Sequence, residues 1–204
     1  MMKGLNELKA AIGNCTNCTL YETRSCVVMD EERERVILLL LGEAPGGHED
    51  RISGKPFSGE AGHILTDLLE KVGLKRNQCY ITNSVKCRPT KPSQKGRYGP
   101  YANRKPKVSE IKACRCFLEN EISLLKPKVI ATLGGVPLGS ILHKSSVRLE
   151  EYHGKPFFSQ EFNCYVFPLY HPASIIYRPR LGQVYEEDLN KLKIFLSNKF
   201  NEKG

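Results

Sequence analysis

The sequence lacks tryptophan and contains only three methionines, and its longest aliphatic run is VILLLL at residues 36–41. A helix that spans a bilayer needs about 20 predominantly apolar residues, so this run is too short. The first fifteen residues, MMKGLNELKAAIGNC, also lack the apolar region of an export signal. These absences predict a cytoplasmic protein with no membrane partner.

The length, cysteine content and charge restrict the class of protein further. A chain of 204 residues is long enough to bury a continuous core, which predicts a single domain over residues 1–204. Without an export signal, the eight cysteines favour metal ligation or reduced thiols over a disulfide framework. The formal net charge of +9 favours an acidic partner, but charge alone does not identify it as nucleic acid.

Short apolar runs alternate with longer amphipathic stretches along the chain. Runs that are apolar on both faces are typical of buried parallel strands, and the stretches between them suit crossover helices. The pattern predicts an α/β fold, a three-layer α/β/α sandwich around a mostly parallel four-stranded sheet, with an irregular segment over the first 30 residues. The predicted strands are residues 35–41, 79–82, 129–133 and 165–169, and the predicted helices are 61–72, 109–125 and 184–200.

Four segments rich in glycine, proline or polar residues follow the predicted strands. They are GEAPGGHED at 42–50, Asn83 after YIT, GGVP at 134–137 and YHPAS at 170–174. Ligands bind beyond the carboxyl ends of the strands in such sheets, so these segments are candidates for a binding site. The pattern alone leaves open whether Asn83 and His171 are functional or structural.

Four cysteines have a spacing that suits metal ligation. Cys15 and Cys18 form a C-x-x-C pair, and Cys87 and Cys114 lie 27 positions apart with a basic segment between them. Four thiolates suit either Zn²⁺ or a [4Fe–4S] cluster, and the spacing does not separate the two. An accidental C-x-x-C with the other thiols buried in the core is the remaining alternative.

The positive charge is concentrated in residues 86–107. This segment contains eight lysines or arginines and no acidic residue, and it is interrupted by four prolines and two glycines. The composition predicts a basic surface loop. Both a purely solvated loop and direct contact with phosphates are compatible with it.

Six motifs resemble those of one enzyme family, and they occur here in the family's order. They are GEAPGGHED, KPFSGEAGHIL, YITNSVKCRP, NRKP, EIKAC and YHPAS. From about residue 15 to residue 193 the chain resembles the family 4 uracil-DNA glycosylases, an iron–sulfur class. The resemblance implies a repair enzyme that flips uracil out of DNA and hydrolyses its N-glycosidic bond. It leaves an abasic site and does not cut the strand.

The resemblance also implies the metal site and the catalytic residues. The family's cluster ligands match Cys15, Cys18, Cys87 and Cys114, which implies a structural [4Fe–4S] cluster and no organic cofactor. Glu43 and Glu49 would place the attacking water or favour the cationic sugar, and His171 would donate a hydrogen bond to uracil O2. Ala44 occupies a position at which better-known uracil glycosylases carry an aspartate, so the reaction would depend on stabilisation of the leaving group.

Recognition of the base is likewise assigned by the resemblance. Gly42 and Ala44 belong to the loop that approaches the flipped nucleotide, Asn83 would pair with O4 and N3–H of uracil, and Phe57 would stack on its ring. Gly46 stands where other classes place a tyrosine that blocks the thymine methyl group, so Glu49 becomes a candidate for that task.

The implied partner is uracil-containing DNA, single- or double-stranded, bound by a monomer; the sequence identifies no sliding clamp or other protein partner. Lys55 is also expected to face phosphate. The predicted DNA contacts are Lys86, Arg88, Arg97, Arg104, Lys105 and Arg178.

The chain departs from the family pattern at two places. The segment RIS at 51–53 has one residue more than the common spacing, which is expected to shift Phe57 relative to the pocket. An insertion near residues 92–101 is interpreted as a DNA-contacting extension. No histidine lies between residues 64 and 142, which argues against the covalent trapping used by a related class with an extra loop there.

Other classes of protein are less compatible with the sequence. A cluster-containing nucleic-acid-binding protein of the same fold, with lost or altered base specificity, is the main alternative. A radical enzyme of the S-adenosylmethionine type needs a C-x3-C-x-x-C triplet, which is absent. The loop GEAPGG lacks the G-x-G-x-x-G spacing of dinucleotide-binding proteins.

Overall fold

The structure is a computed structural model, and it describes residues 4–200. The prediction of a single domain over residues 1–204 includes residues 1–3 and 201–204, which lie outside the described part, and it stays a prediction. The helices are α1 (Leu5–Gly13), α2 (Glu60–Lys71), α3 (Val108–Leu125), α4 (Gly135–Leu142), α5 (Ser174–Tyr177) and α6 (Leu181–Phe200). The strands are β1 (Leu38–Gly42), β2 (Cys79–Asn83), β3 (Thr90–Pro92), β4 (Tyr101–Asn103), β5 (Val129–Leu133), β6 (Phe157–Ser159) and β7 (Cys164–Leu169).

The central sheet has the strand order β2-β1-β5-β7-β6. The first four strands pair in parallel, whereas β6 pairs antiparallel with β7. The predicted α/β class and the mostly parallel sheet are confirmed, but the predicted count of four strands is wrong because the sheet has five. The edge strand β6 is only three residues long and partly exposed, so no buried apolar run marks it in the sequence.

Both faces of the sheet are buried, as the continuous apolar runs predict. Leu39 and Leu41 of β1 pack into a core with α1, α3 and α4. Leu38 and Leu40 face the opposite way, into a core with α2 and α6. Successive side chains of a strand point to opposite faces, so each residue of β1 contributes to one of the two outer layers. The three-layer arrangement is thereby confirmed.

Three helices, α1, α4 and α5, are not among those that the sequence predicts. The segment α1 lies in the stretch expected to be irregular, yet Leu5, Leu8 and Ile12 are buried at helical spacing against α3. Helix α5 begins at Ser174, the last residue of the strand-end segment YHPAS, and the strand-end segment GGVP contains the start of α4. Pro137 is tolerated there because the first-turn N–H groups of a helix have no intrahelical acceptor.

The basic segment is also more ordered than a simple loop. Strands β3 and β4 pair antiparallel, and Ser93 donates a backbone hydrogen bond to the carbonyl of Pro100 at the base of the turn. This hairpin carries the insertion. Among the helices described between residues 4 and 200, none is long and apolar enough to cross a membrane.

Candidate active site

The carboxyl ends of the four parallel strands meet at one edge of the sheet. Gly42 ends β1 and is directly opposite Asn83, the last residue of β2. His171 lies two residues beyond β7, and Gly134 at the end of β5 donates a hydrogen bond to the carbonyl of Leu169. The parallel topology therefore gathers all four strand-end segments identified in the sequence.

The backbone of Phe57 is held in an unusual conformation. Its φ is 50°, in the left-handed region that bulky residues rarely adopt. A Cβ on Gly62 would lie 1.7 Å from the carbonyl oxygen of Phe57, so only glycine allows this turn. Arg76 donates a hydrogen bond of 2.8 Å to the carbonyl of Pro56. These contacts direct the Phe57 ring towards His171, with 5.8 Å between the ring centroids.

Gly42 allows Phe57 and Asn83 to approach each other. A Cβ at position 42 would lie 2.4 Å from a carbon of the Phe57 ring and 2.5 Å from Oδ1 of Asn83. Asn83 is 3% exposed, and its Oδ1 has no hydrogen-bond partner among the described residues. A buried amide oxygen without a partner is costly, which makes it a group available to a ligand.

The extra residue of the RIS segment is accommodated by a wider helical turn. Residues Glu49–Ser53 form one turn of π-helix, closed by a 2.9 Å hydrogen bond from the N–H of Gly54 to the carbonyl of Glu49. A π-turn spans one residue more than an α-turn and is often found at functional sites. The Phe57 ring lies beside His171 and Asn83. A shift of this ring relative to family members with the common spacing stays a prediction.

The Glu49 carboxylate lies inside the loop rather than in open solvent. Its Oε1 accepts a hydrogen bond of 3.1 Å from the N–H of Gly59, which precedes α2. Its Oε2 lies 2.6 Å from where a Cβ on Gly46 would be. Glu49 therefore fills the space that a side chain at position 46 would occupy.

His171 is partly buried and uncharged at neutral pH. Burial lowers the pKa of its imidazole to about 4. The N–H of Ala173 donates a 3.1 Å hydrogen bond to Nδ1, so this nitrogen is the acceptor and the ring proton is on Nε2. His171 is thus a neutral hydrogen-bond donor through Nε2–H.

The pKa of Glu43 is shifted in the opposite direction to that of His171. Burial raises the pKa of its carboxyl group, and the nearby Lys105 only partly offsets this effect. The side chain lines the same cavity as His171. The site therefore combines a neutral histidine with a carboxylate whose charge is incompletely compensated.

Two cavities meet at His171. One, of about 740 Å³, is lined by the 44–49 loop, Phe57, Asn83 and His171, and residues Arg97 and Tyr98 of the insertion lie at its edge. The second, a groove of about 820 Å³, is lined by Glu43, His171 and several basic side chains. A flipped base of DNA requires this combination of a pocket for the base and a groove for the backbone.

The insertion packs against the glycine-rich loop through Tyr98. The Tyr98 ring is edge-on to His48 at 6.2 Å between centroids, and it lies against Gly47, where an added Cβ would be 2.4 Å from the ring. Arg88 donates to the carbonyls of Tyr98 and Tyr101. The hairpin is therefore attached to the site rather than projecting freely from it.

The four cysteines of the predicted metal site line one small apolar cavity, between α1, α3 and the segment after β2. The sulfurs accept hydrogen bonds from Arg24 (to Cys87), the backbone of Lys86 (to Cys114) and the backbone of Asn17 (to Cys15). Within residues 4–200, no group of three or more histidine, cysteine or acidic side chains is arranged to hold a metal ion. The thiols therefore surround a space rather than meeting at one point.

Burial disfavours the charged form of two of these thiols, those of Cys87 and Cys114. It raises the pKa of Cys114 to about 12 and also raises the pKa of Cys87. Hydrogen bonds to sulfur favour the thiolate, which is the form that binds iron or zinc. The donor set and its N–H···S bonds fit a metal centre, whose positive charge would offset the cost of burial.

Three of the predicted DNA contacts are corrected by the structure. Lys86 is 1% exposed and forms a buried ion pair with Glu121, so it does not face phosphate. Arg88 is 2% exposed, with its guanidinium bonded to Asn103 and to hairpin carbonyls. Sequence alone shows their charge but not their burial.

Arg104 is only partly buried, but its guanidinium is paired with Glu110 on α3 and donates to the carbonyl of Thr90. These contacts engage the N–H donors of the guanidinium within the protein. Glu110 lies in the first turn of α3, the helix that follows the hairpin. Arg104 therefore braces the hairpin instead of presenting a free guanidinium to DNA.

The other predicted contacts are exposed. Arg97, Lys105 and Arg178 are exposed around the two cavities, whereas Lys55 pairs with Glu31 on the surface. The structure adds Lys112 and Lys144, exposed lysines that line the groove and were not predicted. Lys112 lies on α3 within the EIKAC motif, two residues before Cys114, but the motif gave it no role in DNA binding, and none of the six motifs contains Lys144.

Comparisons with known proteins agree with this geometry. A family model described as the uracil DNA glycosylase superfamily matches residues 29–193. A type-4 uracil-DNA glycosylase of Sulfurisphaera tokodaii is 36% identical over 201 residues, covering 94% of this chain and 84% of that protein. The type-4 enzymes of Saccharolobus solfataricus and Archaeoglobus fulgidus are 37% and 32% identical, covering 97% and 94% of this chain and 89% and 92% of theirs. The chain therefore belongs to the uracil DNA glycosylase superfamily and, within it, to the type-4 uracil-DNA glycosylases.

Proposed function

We propose that this chain excises uracil from DNA by hydrolysis, with the base held among Phe57, Asn83 and His171. Family membership makes it a DNA repair enzyme that hydrolyses N-glycosyl bonds. The observation that carries the residue assignment is the convergence of these three side chains around Gly42, with a buried, unpartnered amide oxygen on Asn83.

Recognition of uracil follows from the chemistry of an amide. The Asn83 side chain offers one acceptor to N3–H and one donor to O4, whereas the cytosine edge presents the reverse pattern. The Phe57 ring supplies a stacking face, which contributes about 1–3 kcal/mol per base. Glu49, which fills the space beside Gly46, is the candidate group that excludes the thymine methyl.

Departure of the base depends on His171 in this proposal. As the glycosidic bond stretches, negative charge develops on the uracil ring, including O2. A neutral imidazole with its proton on Nε2 donates to this oxygen without giving up the proton. A donor aimed at developing charge contributes about 3–4 kcal/mol in comparable sites.

Glu43 acts on the sugar side. Its carboxylate lies in the groove with His171, where it favours the positive charge that develops on the deoxyribose and orients the attacking water. Ala44 has no carboxylate to contribute, so Glu43 is the acidic side chain assigned to this step.

DNA binding is assigned to the basic groove. Exposed Arg97, Lys105, Lys112, Lys144 and Arg178 surround the two cavities and are available to phosphates. We assign binding to one copy of the chain, because pocket and groove are both formed within it. Size-exclusion chromatography with light scattering at assay concentration tests the monomer.

The cysteine cavity is proposed to hold a structural [4Fe–4S] cluster through Cys15, Cys18, Cys87 and Cys114. The cluster would join the N-terminal segment to α3 and to the chain leaving β2, which leads to the base of the hairpin. Iron and acid-labile sulfide analysis, with the visible absorption spectrum, distinguishes this cluster from zinc. Zinc alone in a folded, fully loaded protein would contradict the assignment.

The enzyme is proposed to be monofunctional. A lyase needs a free amine near the sugar, but Lys86 is ion-paired in the interior and Lys55 pairs with Glu31. No lysine is among the described residues that line the pocket of Phe57 and Asn83. Lys105 lines the adjoining groove and is the residue to replace if a lyase step were found.

The proposal is tested with an end-labelled oligonucleotide that contains one uracil. Incubation in chelator is expected to give strand breaks only after alkali or heat treatment. Breaks without alkali, together with borohydride trapping of the protein, would contradict the monofunctional assignment. DNA binding without base release, by folded protein that contains the cluster, would instead support an inactive binding protein of the same fold.

A further inference from the structure

A buried ion pair lies directly behind Asn83. Lys86 is 1% exposed and Glu121, on α3, is 0% exposed. The Lys86 ammonium donates to the carboxylate of Glu121, to Oγ1 of Thr82 at 2.6 Å and to the main-chain carbonyl of Asn83 at 3.0 Å. All three of its N–H donors therefore have an acceptor.

The carboxylate is equally well satisfied. Its Oε1 accepts a hydrogen bond of 2.8 Å from the hydroxyl of Tyr80, and its Oε2 accepts one of 2.7 Å from the hydroxyl of Thr82. Tyr80 and Thr82 both belong to β2, and Asn83 is its last residue. The ion pair thus connects α3 to the end of the strand that carries the base-reading amide.

Such a pair is a poor means of stabilising a fold. Removing two charges from water is expensive, and well-packed apolar residues of similar volume are often at least as stabilising. A role in fixing local geometry therefore explains this buried pair better than a contribution to stability does.

The Lys86 ammonium lies at the end of β2, where it contacts the main chain of Asn83. Beyond Asn83 the chain leaves the sheet, and the carbonyl of Asn83 accepts from the Lys86 ammonium at the end of the strand. The neighbouring Ser84 is fixed separately, since its N–H and its hydroxyl both donate to the carbonyl of Gly42. The main chain on both sides of the Asn83 peptide is therefore held by defined hydrogen bonds.

We propose that Lys86 and Glu121 are positioning residues that fix Asn83 for recognition of the flipped uracil. The inference rests on the proposed function, because it assigns Asn83 to the base. The pair touches no substrate. Its effect is to hold the amide of Asn83 in the orientation in which donor and acceptor match O4 and N3–H, and displacement by about 1 Å can cost about 100-fold in rate.

Neutral double variants separate positioning from stability. Replacing one partner leaves a buried charge unpaired and is strongly destabilising, whereas Lys86→Met/Glu121→Gln removes both charges. The matched variant Lys86→Gln/Glu121→Gln is also neutral but retains an amide that can donate to the Asn83 carbonyl. The two double variants are compared by melting temperature and by steady-state kinetics of uracil release, which give kcat and KM.

The proposal predicts a loss in kcat that the retained donor partly restores. We expect Lys86→Met/Glu121→Gln to lower kcat by about 10- to 100-fold, with little change in KM for DNA, and the glutamine pair to retain more activity. A folded methionine variant with wild-type kcat, or equal losses in both variants, would overturn the positioning role.

Combination with Asn83→Ala provides a second measurement. If the pair acts through Asn83, either double variant added to Asn83→Ala causes no further loss, whereas independent effects would multiply. The cycle needs only one double variant to fold, so it remains decisive if the methionine version does not. Wild-type enzyme in the same assay separates the two claims, since an inactive wild type contradicts the proposed function and not the positioning alone.

Discussion

Position 42 sets the size of the uracil pocket. In Gly42→Ala the new methyl group would overlap the Phe57 ring and Oδ1 of Asn83. We therefore predict that this variant loses most of its uracil release while its melting temperature changes little, because Phe57 can move into the empty pocket. Gly182→Ala is the matched control, since its Cβ would make an ordinary 3.7 Å contact with Ile175. Full activity of Gly42→Ala would contradict the pocket described.

The neutral donor on His171 is predicted to act in the transition state. We expect His171→Ala to reduce single-turnover kcat by about 100- to 1,000-fold, the effect of removing one donor aimed at developing charge. Binding to undamaged DNA, measured by fluorescence anisotropy, is expected to stay near that of the wild type. Equal losses in binding and in kcat would mean that His171 supports the fold rather than the chemistry.

The pH dependence of uracil release distinguishes the role of Glu43 from that of His171. Burial raises the pKa of Glu43 above its usual 4.5, whereas His171 stays neutral down to about pH 4. Uracil release is therefore predicted to decrease as pH falls through the pKa of Glu43, because the carboxylate is lost by protonation there. Glu43→Gln is expected to be slower but without this acidic limb. An unchanged limb in Glu43→Gln would assign the titration to another group.

The residues of the pocket were largely predictable from the sequence because each lies in a motif next to a strand end. Asn83, His171 and Phe57, which the resemblance assigns to the uracil pocket, lie close together in the structure, and their roles stay predictions. Lys86 was misassigned because a lysine in a basic segment gives no sign of burial, and its partner Glu121 is 35 positions away on another element. The strained φ of Phe57 and the contact of Glu49 with Gly59 also depend on tertiary structure.

Among the elements, the inserted hairpin has the clearest testable role. We predict that replacing residues 93–100 with a short turn raises KM for DNA more than it lowers kcat, because the change removes Arg97 and Tyr98, which line the pocket, and the exposed Lys95 near them in the chain. Ser93 and Pro100, the two ends of the replaced segment, are joined by a backbone hydrogen bond, so a short turn can connect β3 to β4 there. The measurement is steady-state kinetics at several salt concentrations.

A second variant separates charge from shape in the hairpin. Lys95→Ala/Arg97→Ala retains the Tyr98 contact with Gly47 and removes only the two charges. It is expected to reproduce the loss of salt-dependent binding but not the whole increase in KM. Wild-type KM in the shortened hairpin would show that the insertion has no part in DNA binding.

The sequence predicts a strand or helix correctly where one short stretch of residues carries the whole hydrophobic pattern. Four parallel strands follow from runs that are apolar on both faces, and the bounds of β5 match the prediction. The edge strand β6 was missed because three partly exposed residues carry no periodic signal. The hairpin strands β3 and β4 are also three residues long and not buried, so they carry no periodic signal either. In β3, lysine and proline further disfavour a strand prediction.

For the molecule as a whole, the net charge of +9 affects DNA binding according to where the basic side chains lie on the surface. Lys112 and Lys144 line the groove, whereas Lys128 and Lys193 are exposed outside both cavities. We predict that Lys112→Ala/Lys144→Ala reduces the slope of log K against log salt by about 2. Lys128→Ala/Lys193→Ala has the same net charge and is expected to leave the slope near that of the wild type. Identical slopes for the two variants would mean that the groove does not bind DNA.

We propose above that this pocket releases uracil and rejects thymine. The most direct measurement is the amount of free base released from matched duplexes with one uracil or one thymine opposite guanine, by wild-type protein and by Asn83→Ala. We expect release of uracil alone, strongly reduced in the variant, when both proteins are folded and have the same metal content. Release of thymine at a comparable rate, or undiminished release of uracil by Asn83→Ala, would contradict it.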